Sequence, residues 1–208
     1  MMYMEWIYEF EETLMEFLNG LGIWAPFLSC IFIFLEGILA FLPLFVFVTV
    51  NILSMSSLVG SFLGSVLGIV LSWIFCVFGS FTMFLGTRRL FGKKFRNKIA
   101  KNTKANKFMN VIDKLSYSQI VLIVSIPFSP SFFINLGSGL SKINEKKYFF
   151  ALLVGKFAEM IFLGYVGVSL IECLTQPLAL IKVAIIMIVG YLFSLGINKK
   201  FNLDERFE

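Results

Sequence analysis

Three ionisable residues stand in stretches that are otherwise apolar: Glu36, Lys156 and Glu159. An ion surrounded by hydrocarbon is protonated, paired or hydrated, because an isolated one costs several kcal/mol. Glu36 is therefore a candidate to carry a proton or touch a polar headgroup; the alternative is a hydrogen bond that caps a break in the chain. Lys156 and Glu159 are three apart, on one face of a helix, and can simply pair with each other. Lys156 could instead serve a phosphate or Glu36. Asn51 and Asn135 either satisfy backbone groups freed at chain breaks or line a polar path. Half of the 18 Lys and Arg residues crowd into residues 87–107, which hold no acid. Arg88, Arg89, Lys93, Lys94, Lys98 and Lys101 are its headgroup-capture candidates. The competing reading is an orientation signal alone.

What is missing narrows the chemistry. There is no histidine, hence no His general base and no His metal site. Cys30, Cys76 and Cys173 lie far apart in apolar runs. Their spacing fits neither a metal nor a disulfide framework, and they read as small buried hydrophobes. No Walker loop, GxSxG or GxGxxG occurs, which argues against ATP-driven transport by this chain alone. The expectation is a protein that is not an enzyme and uses no cofactor and no metal.

Composition says where these residues must sit. Of 208 residues, 58% are hydrophobic and only 15% charged, with 26 phenylalanines. The mean hydropathy is +0.87. A soluble domain carries about 25% charged residues. Polar surface is too scarce to coat a water-soluble globule, so the bilayer is part of the solvent. Disorder and nucleic-acid binding are excluded by the same figures.

Along the chain, residues 1–20 read as an amphipathic interfacial helix, with Trp6, Phe10, Leu14 and Phe17 on one face and Glu5, Glu9, Glu12 and Glu16 on another. Residues 21–198 form one membrane domain. Its first run holds Glu36 and Pro43, too long for one simple span and too short for two, so a re-entrant hairpin over about 25–55 fits. Residues 57–86 form a transmembrane helix, with Gly60, Gly64 and Gly68 as a packing face. The basic segment 87–107 is expected to be a cytoplasmic loop. Pro127 and Pro130 break a second run, giving a hairpin over about 119–142. Spans follow at 147–173 and 178–197, and residues 199–208 form a cytoplasmic tail. Pro43 and Pro130 are each followed at ten and eleven residues by Leu–Ser. With one basic loop between them, the two hairpin-plus-helix units are expected to be inverted repeats.

The stretch from Phe34 to Asn51, the glycine stripe ending in Gly86-Thr-Arg-Arg-Leu-Phe-Gly92, and the stretch from Ile126 to Leu140 resemble the DedA/VTT-domain superfamily, the SNARE-associated Golgi protein family. The likeness covers roughly residues 20–170. It implies a multi-pass bacterial plasma-membrane protein with two opposed re-entrant hairpins. It also implies recycling of undecaprenyl phosphate, as in bacterial members, or phospholipid scrambling, as in eukaryotic relatives. Two departures stand out. Better-known bacterial members carry a second acid just after the first-hairpin proline, where Leu44 and Phe45 stand. They also carry arginines around the second-hairpin prolines, where Ser125, Ser129 and Ser131 stand.

The expected protein is thus an all-α integral membrane protein with an inverted repeat of two hairpins, each followed by a transmembrane helix, and a further C-terminal helix. Its expected function is translocation of a lipid phosphate or phospholipid, with membrane lipids and protons as partners. A proton- or cation-coupled small-solute transporter, and a non-transporting scaffold, are the alternatives.

Overall fold

The structure, a computed structural model, describes residues 16, 20–39, 42–99, 110–127 and 131–175, with 185, 188 and 189; the side chains of 92–99 and 172–175 are not included. Most of the helix expected over 1–20 and of the span expected over 178–197, the tail, Pro130, Lys101 and the side chains of Lys93, Lys94 and Lys98 lie outside the described residues. All regular structure among the described residues is helical.

Helices α1 (Trp24–Leu39) and α2 (Leu44–Val59) have 16 residues each. At 1.5 Å per residue each spans about 24 Å, short of the ~30 Å hydrocarbon core. Pro43 stands at the start of α2, where its fixed φ and missing N–H cost nothing. The two helices fold back on each other, with Phe32 stacked on Phe47 at 5.0 Å.

α2 continues to Val59, and the turn falls on Gly60, whose φ of 95° is open to glycine. Helix α3 (Ser61–Ile99) begins only after it. The boundary expected between 55 and 57 is therefore four residues early. The turn needs a positive φ, which Gly60 adopts readily and Leu58 and Val59 do not. The expected loop at 87–107 is also corrected. α3 runs through its first half to Ile99, since Lys and Arg are good helix formers and no proline intervenes.

Helix α4 (Tyr117–Ser125) opens with a capping box. Gln119 N–H donates to Ser116 Oγ at 3.3 Å, and Ser116 N–H donates to Gln119 Oε1 at 2.9 Å. It stops because Pro127 disfavours a helical Ile126, which sits at φ −70°, ψ 118°. Helix α5 (Ser131–Leu140) has ten residues. Helix α6 (Glu145–Thr175) is capped by Asn144 Oδ1, which accepts from Lys146 N–H at 2.9 Å. Among the described residues, two segments are long and apolar enough to cross a membrane, Ser61–Phe91 and Glu145–Ile171.

The helices divide between two packed units. In the first, taken from Met1–Ile33, Leu42–Phe75 and Met160–Leu192, α2 lies against the start of α3 and the later part of α6. A Cβ at Gly64 or Gly68 would collide with the α2 backbone at Ser56 or Ile52. Small residues let the helix axes approach this closely. In the second, taken from Phe34–Phe41, Cys76–Glu159 and Phe193–Glu208, the later part of α3 runs antiparallel to the start of α6. Phe84 stacks on Tyr148 at 4.4 Å, and Phe81 meets Phe149 at 4.9 Å. α4 and α5 both pack on α6, α4 through Val121 and Val124 against Gly155, α5 through Ser131 and Asn135. The end of α1 enters this unit where Gly37 meets the backbone of Gly79 and Ser80.

Candidate functional site

The second unit gathers Glu36, Asn135, Lys156 and Glu159, all buried. Lys156 and Glu159 are 1% and 3% exposed, and Nζ lies 2.6 Å from Glu159 Oε2. Helical spacing of three makes the pair, and the apolar surroundings keep it closed. Nζ also donates to Ser131 Oγ at 3.1 Å, which ties α6 to the first residue of α5. Glu36 is 8% exposed and within electrostatic reach of both Lys156 and Glu159. It forms no hydrogen bond to a described residue, so it caps no helix end there.

Asn135 connects these elements by their backbones. Its Nδ2 donates to Gly37 O at 3.2 Å, and its Oδ1 accepts from the Tyr148 hydroxyl at 2.6 Å. Gly37 O is among the last four carbonyls of α1, which have no partner within the helix. Tyr148, fully buried, thereby steadies the residue next to Glu36. Sequence reasoning passed over Tyr148 and took Ser131 only as a missing arginine. A signal existed for Tyr148: it lies two helical turns before Lys156 and shares its face.

One headgroup-capture candidate has a different occupation. Arg88 sits on α3, and its guanidinium donates to the carbonyls of Ser138 at 3.2 Å, Gly139 at 3.3 Å and Ser141 at 3.0 Å. It also lies 4.4 Å from the centroid of the Phe84 ring and 3.8 Å from Glu145 Oε1. The end of α5 exposes carbonyls that need donors, and a planar fork supplies several at once. Arg89 is exposed. Pro127 lies just past the end of α4, and Pro43 just before α2.

Asn51 belongs to the first unit and is fully buried there. Its Nδ2 donates to Ser72 Oγ at 2.9 Å and approaches Cys30 Sγ at 3.6 Å. Its amide thus bonds side chains rather than a freed backbone group. Asn51 Oδ1 and Ser54 Oγ, one turn apart on α2, have no hydrogen-bond partner among the described residues. Among the described residues no cluster of His, Cys, Asp or Glu could hold a metal.

The VTT domain matches residues 50–169, which takes in α3, α4, α5 and the Lys156–Glu159 pair. The chain belongs to the VTT-domain (DedA) family. A protein of Bacillus subtilis (strain 168) described as an uncharacterized membrane protein, YhjE, is similar over 182 residues at 29% identity, covering 87% of this chain and 84% of its own length. No solved structure matches the chain. This VTT protein is a membrane protein, helical throughout the regular structure of its described residues. Glu36 stands outside the matched VTT segment, yet it is folded against residues inside it.

Proposed function

We propose that this VTT protein moves a lipid carrying a phosphate headgroup, of the undecaprenyl-phosphate or phospholipid kind, across a bacterial plasma membrane. The observation that carries this is the buried set Glu36, Lys156 and Glu159, placed beside helices too short to cross. Lys156 and Glu159 balance each other, and an ionised Glu36 leaves the set with one excess negative charge. An anionic headgroup would be repelled by that excess at low dielectric. Protonating Glu36 makes the set neutral, so uptake of a proton and approach of the phosphate go together. Apolar tails need no path, since they stay in lipid.

The arrangement of the helices supports re-entrant hairpins in an inverted repeat. α2 packs on the start of its following helix, α3, and on the later part of α6. α5 packs on the start of its own following helix, α6, and on the later part of α3. Asn51 and Asn135 hold matching places, each bonded to a hydroxyl on the following helix and to an atom of α1. Such pairs of broken helices, dipping from opposite faces, bring polar groups to the midplane. In this arrangement the basic end of α3 and the C-terminus face the cytoplasm.

Purified protein in liposomes, assayed for flipping of polyprenyl phosphate and of labelled phospholipids at several pH values, tests the proposal. Accelerated flipping of either lipid is expected. Flux of a small water-soluble ion, without lipid movement, would transfer Glu36 to a solute transporter. Neither flux would leave a scaffold.

A further inference from the structure

We infer that Arg88 is the positioning residue of the second hairpin: it clamps the end of α5 to α3, so that Ser131 and Asn135 reach Lys156 and Gly37. The carbonyls of Ser138 and Gly139 in the last turn of α5, and of Ser141 just beyond it, accept from its guanidinium. Helix α5 has ten residues, too few to hold its own shape without tertiary contacts. Its last carbonyls carry the negative end of the helix dipole, which favours a cation there. Arg88 is itself held, by the Phe84 ring beneath it and Glu145 beside it.

A second contact acts at the same point without charge. A Cβ on Gly139 would stand 2.7 Å from Phe84 O and 2.7 Å from Thr87 Cβ. α5 thus touches α3 backbone to backbone at Gly139, whose carbonyl the guanidinium also binds. At the other end of α5, Ser131 accepts from Lys156 Nζ and Asn135 bridges Tyr148 to Gly37. Loosening the clamped end lets the whole short helix shift, and with it the groups around Glu36.

The role in transport rests on the translocase reading, whereas the clamp does not, and two readouts keep them apart. Arg88→Lys retains the charge but loses the planar fork. Gly139→Ala retains Arg88 and forces the helices apart. Amide hydrogen exchange of α5 is expected to quicken about tenfold or more in either variant, through weakened charge-assisted hydrogen bonds in Arg88→Lys and through the displaced helix contact in Gly139→Ala. The pH profile of polyprenyl-phosphate flipping is expected to shift with it, while labelling of single exposed cysteines shows unchanged orientation. Unchanged exchange in both variants overturns the clamp. Faster exchange with the flipping rate and its pH profile unaltered overturns the positioning role. If Arg88→Lys matches wild type in both while Arg88→Gln alone fails, only the charge matters and the inference falls. Should wild-type protein flip no lipid, the translocase reading fails, and exchange in the two variants alone decides the clamp.

Discussion

Lys156 and Glu159 face each other one turn apart on α6, Nζ to Oε2 at 2.6 Å, with almost no contact with solvent. A buried ion pair is not in itself a source of stability, because desolvating both ions offsets most of their attraction. What it does impose is mutual dependence.

Lys156→Met or Glu159→Leu alone strands the other charge. Each is expected to cost about 3–5 kcal/mol. The double variant is expected to regain most of that loss. Thermal unfolding in detergent checks it, and a double variant as unstable as the sum of the singles would show that the two ions are satisfied independently.

Glu36→Gln is expected to lower lipid flux about tenfold or more, with little change in melting temperature. Glutamine keeps the shape and cannot ionise, and Glu36 makes no hydrogen bond to a described residue whose loss would loosen the fold. The variant's remaining flux is expected to be flat with pH. Full flux with the wild-type pH dependence would make Glu36 structural.

Ser54 and Ser72 are expected to respond oppositely to truncation. Ser72 Oγ accepts from Asn51 and donates to Gly68 O at 2.8 Å. Ser72→Ala should cost about 1–3 kcal/mol by orphaning Asn51. Ser54 Oγ has no partner among the described residues, so Ser54→Ala should leave stability unchanged or raise it. Denaturation of the two variants side by side decides. Equal losses would mean that Ser54 Oγ is hydrogen-bonded after all.

Neutralising Lys93, Lys94, Lys98 and Lys101 with Arg88 and Arg89 retained is expected to reduce flux of anionic lipid and leave orientation intact. Each basic residue near an anionic surface contributes about 1 kcal/mol. High salt is expected to weaken the wild type in the same direction. Unchanged flux at low salt would confine these lysines to setting orientation.

The breaks were readable wherever a proline marked them: Pro43 and Pro127 end their runs because missing donors and ring contacts are local effects. The stop at Gly60 was missed because Gly60, Gly64 and Gly68 look alike in sequence. Only Gly60 adopts a positive φ, while Gly64 and Gly68 are packed against α2. That Lys156 pairs with Glu159 was legible from spacing. That Ser131 completes the site, or that Arg88 turns inward, was not, because both depend on contacts between segments 25 or more residues apart. The count of cations in 87–107 conceals this difference, since Arg88 and Arg89 contribute equally to charge and point to different environments.

From Ser61 to Thr87, α3 runs 27 residues without a charged side chain, about 40 Å at helical rise, against a hydrocarbon core of ~30 Å. A rod that long cannot stand upright with every apolar turn in lipid. It leans, protrudes or thickens the bilayer around it, and each choice has a cost that depends on the lipid. Acyl-chain length is therefore a mechanical input to this protein: a thinner membrane presses α3 toward a steeper lean, and a thicker one relieves it.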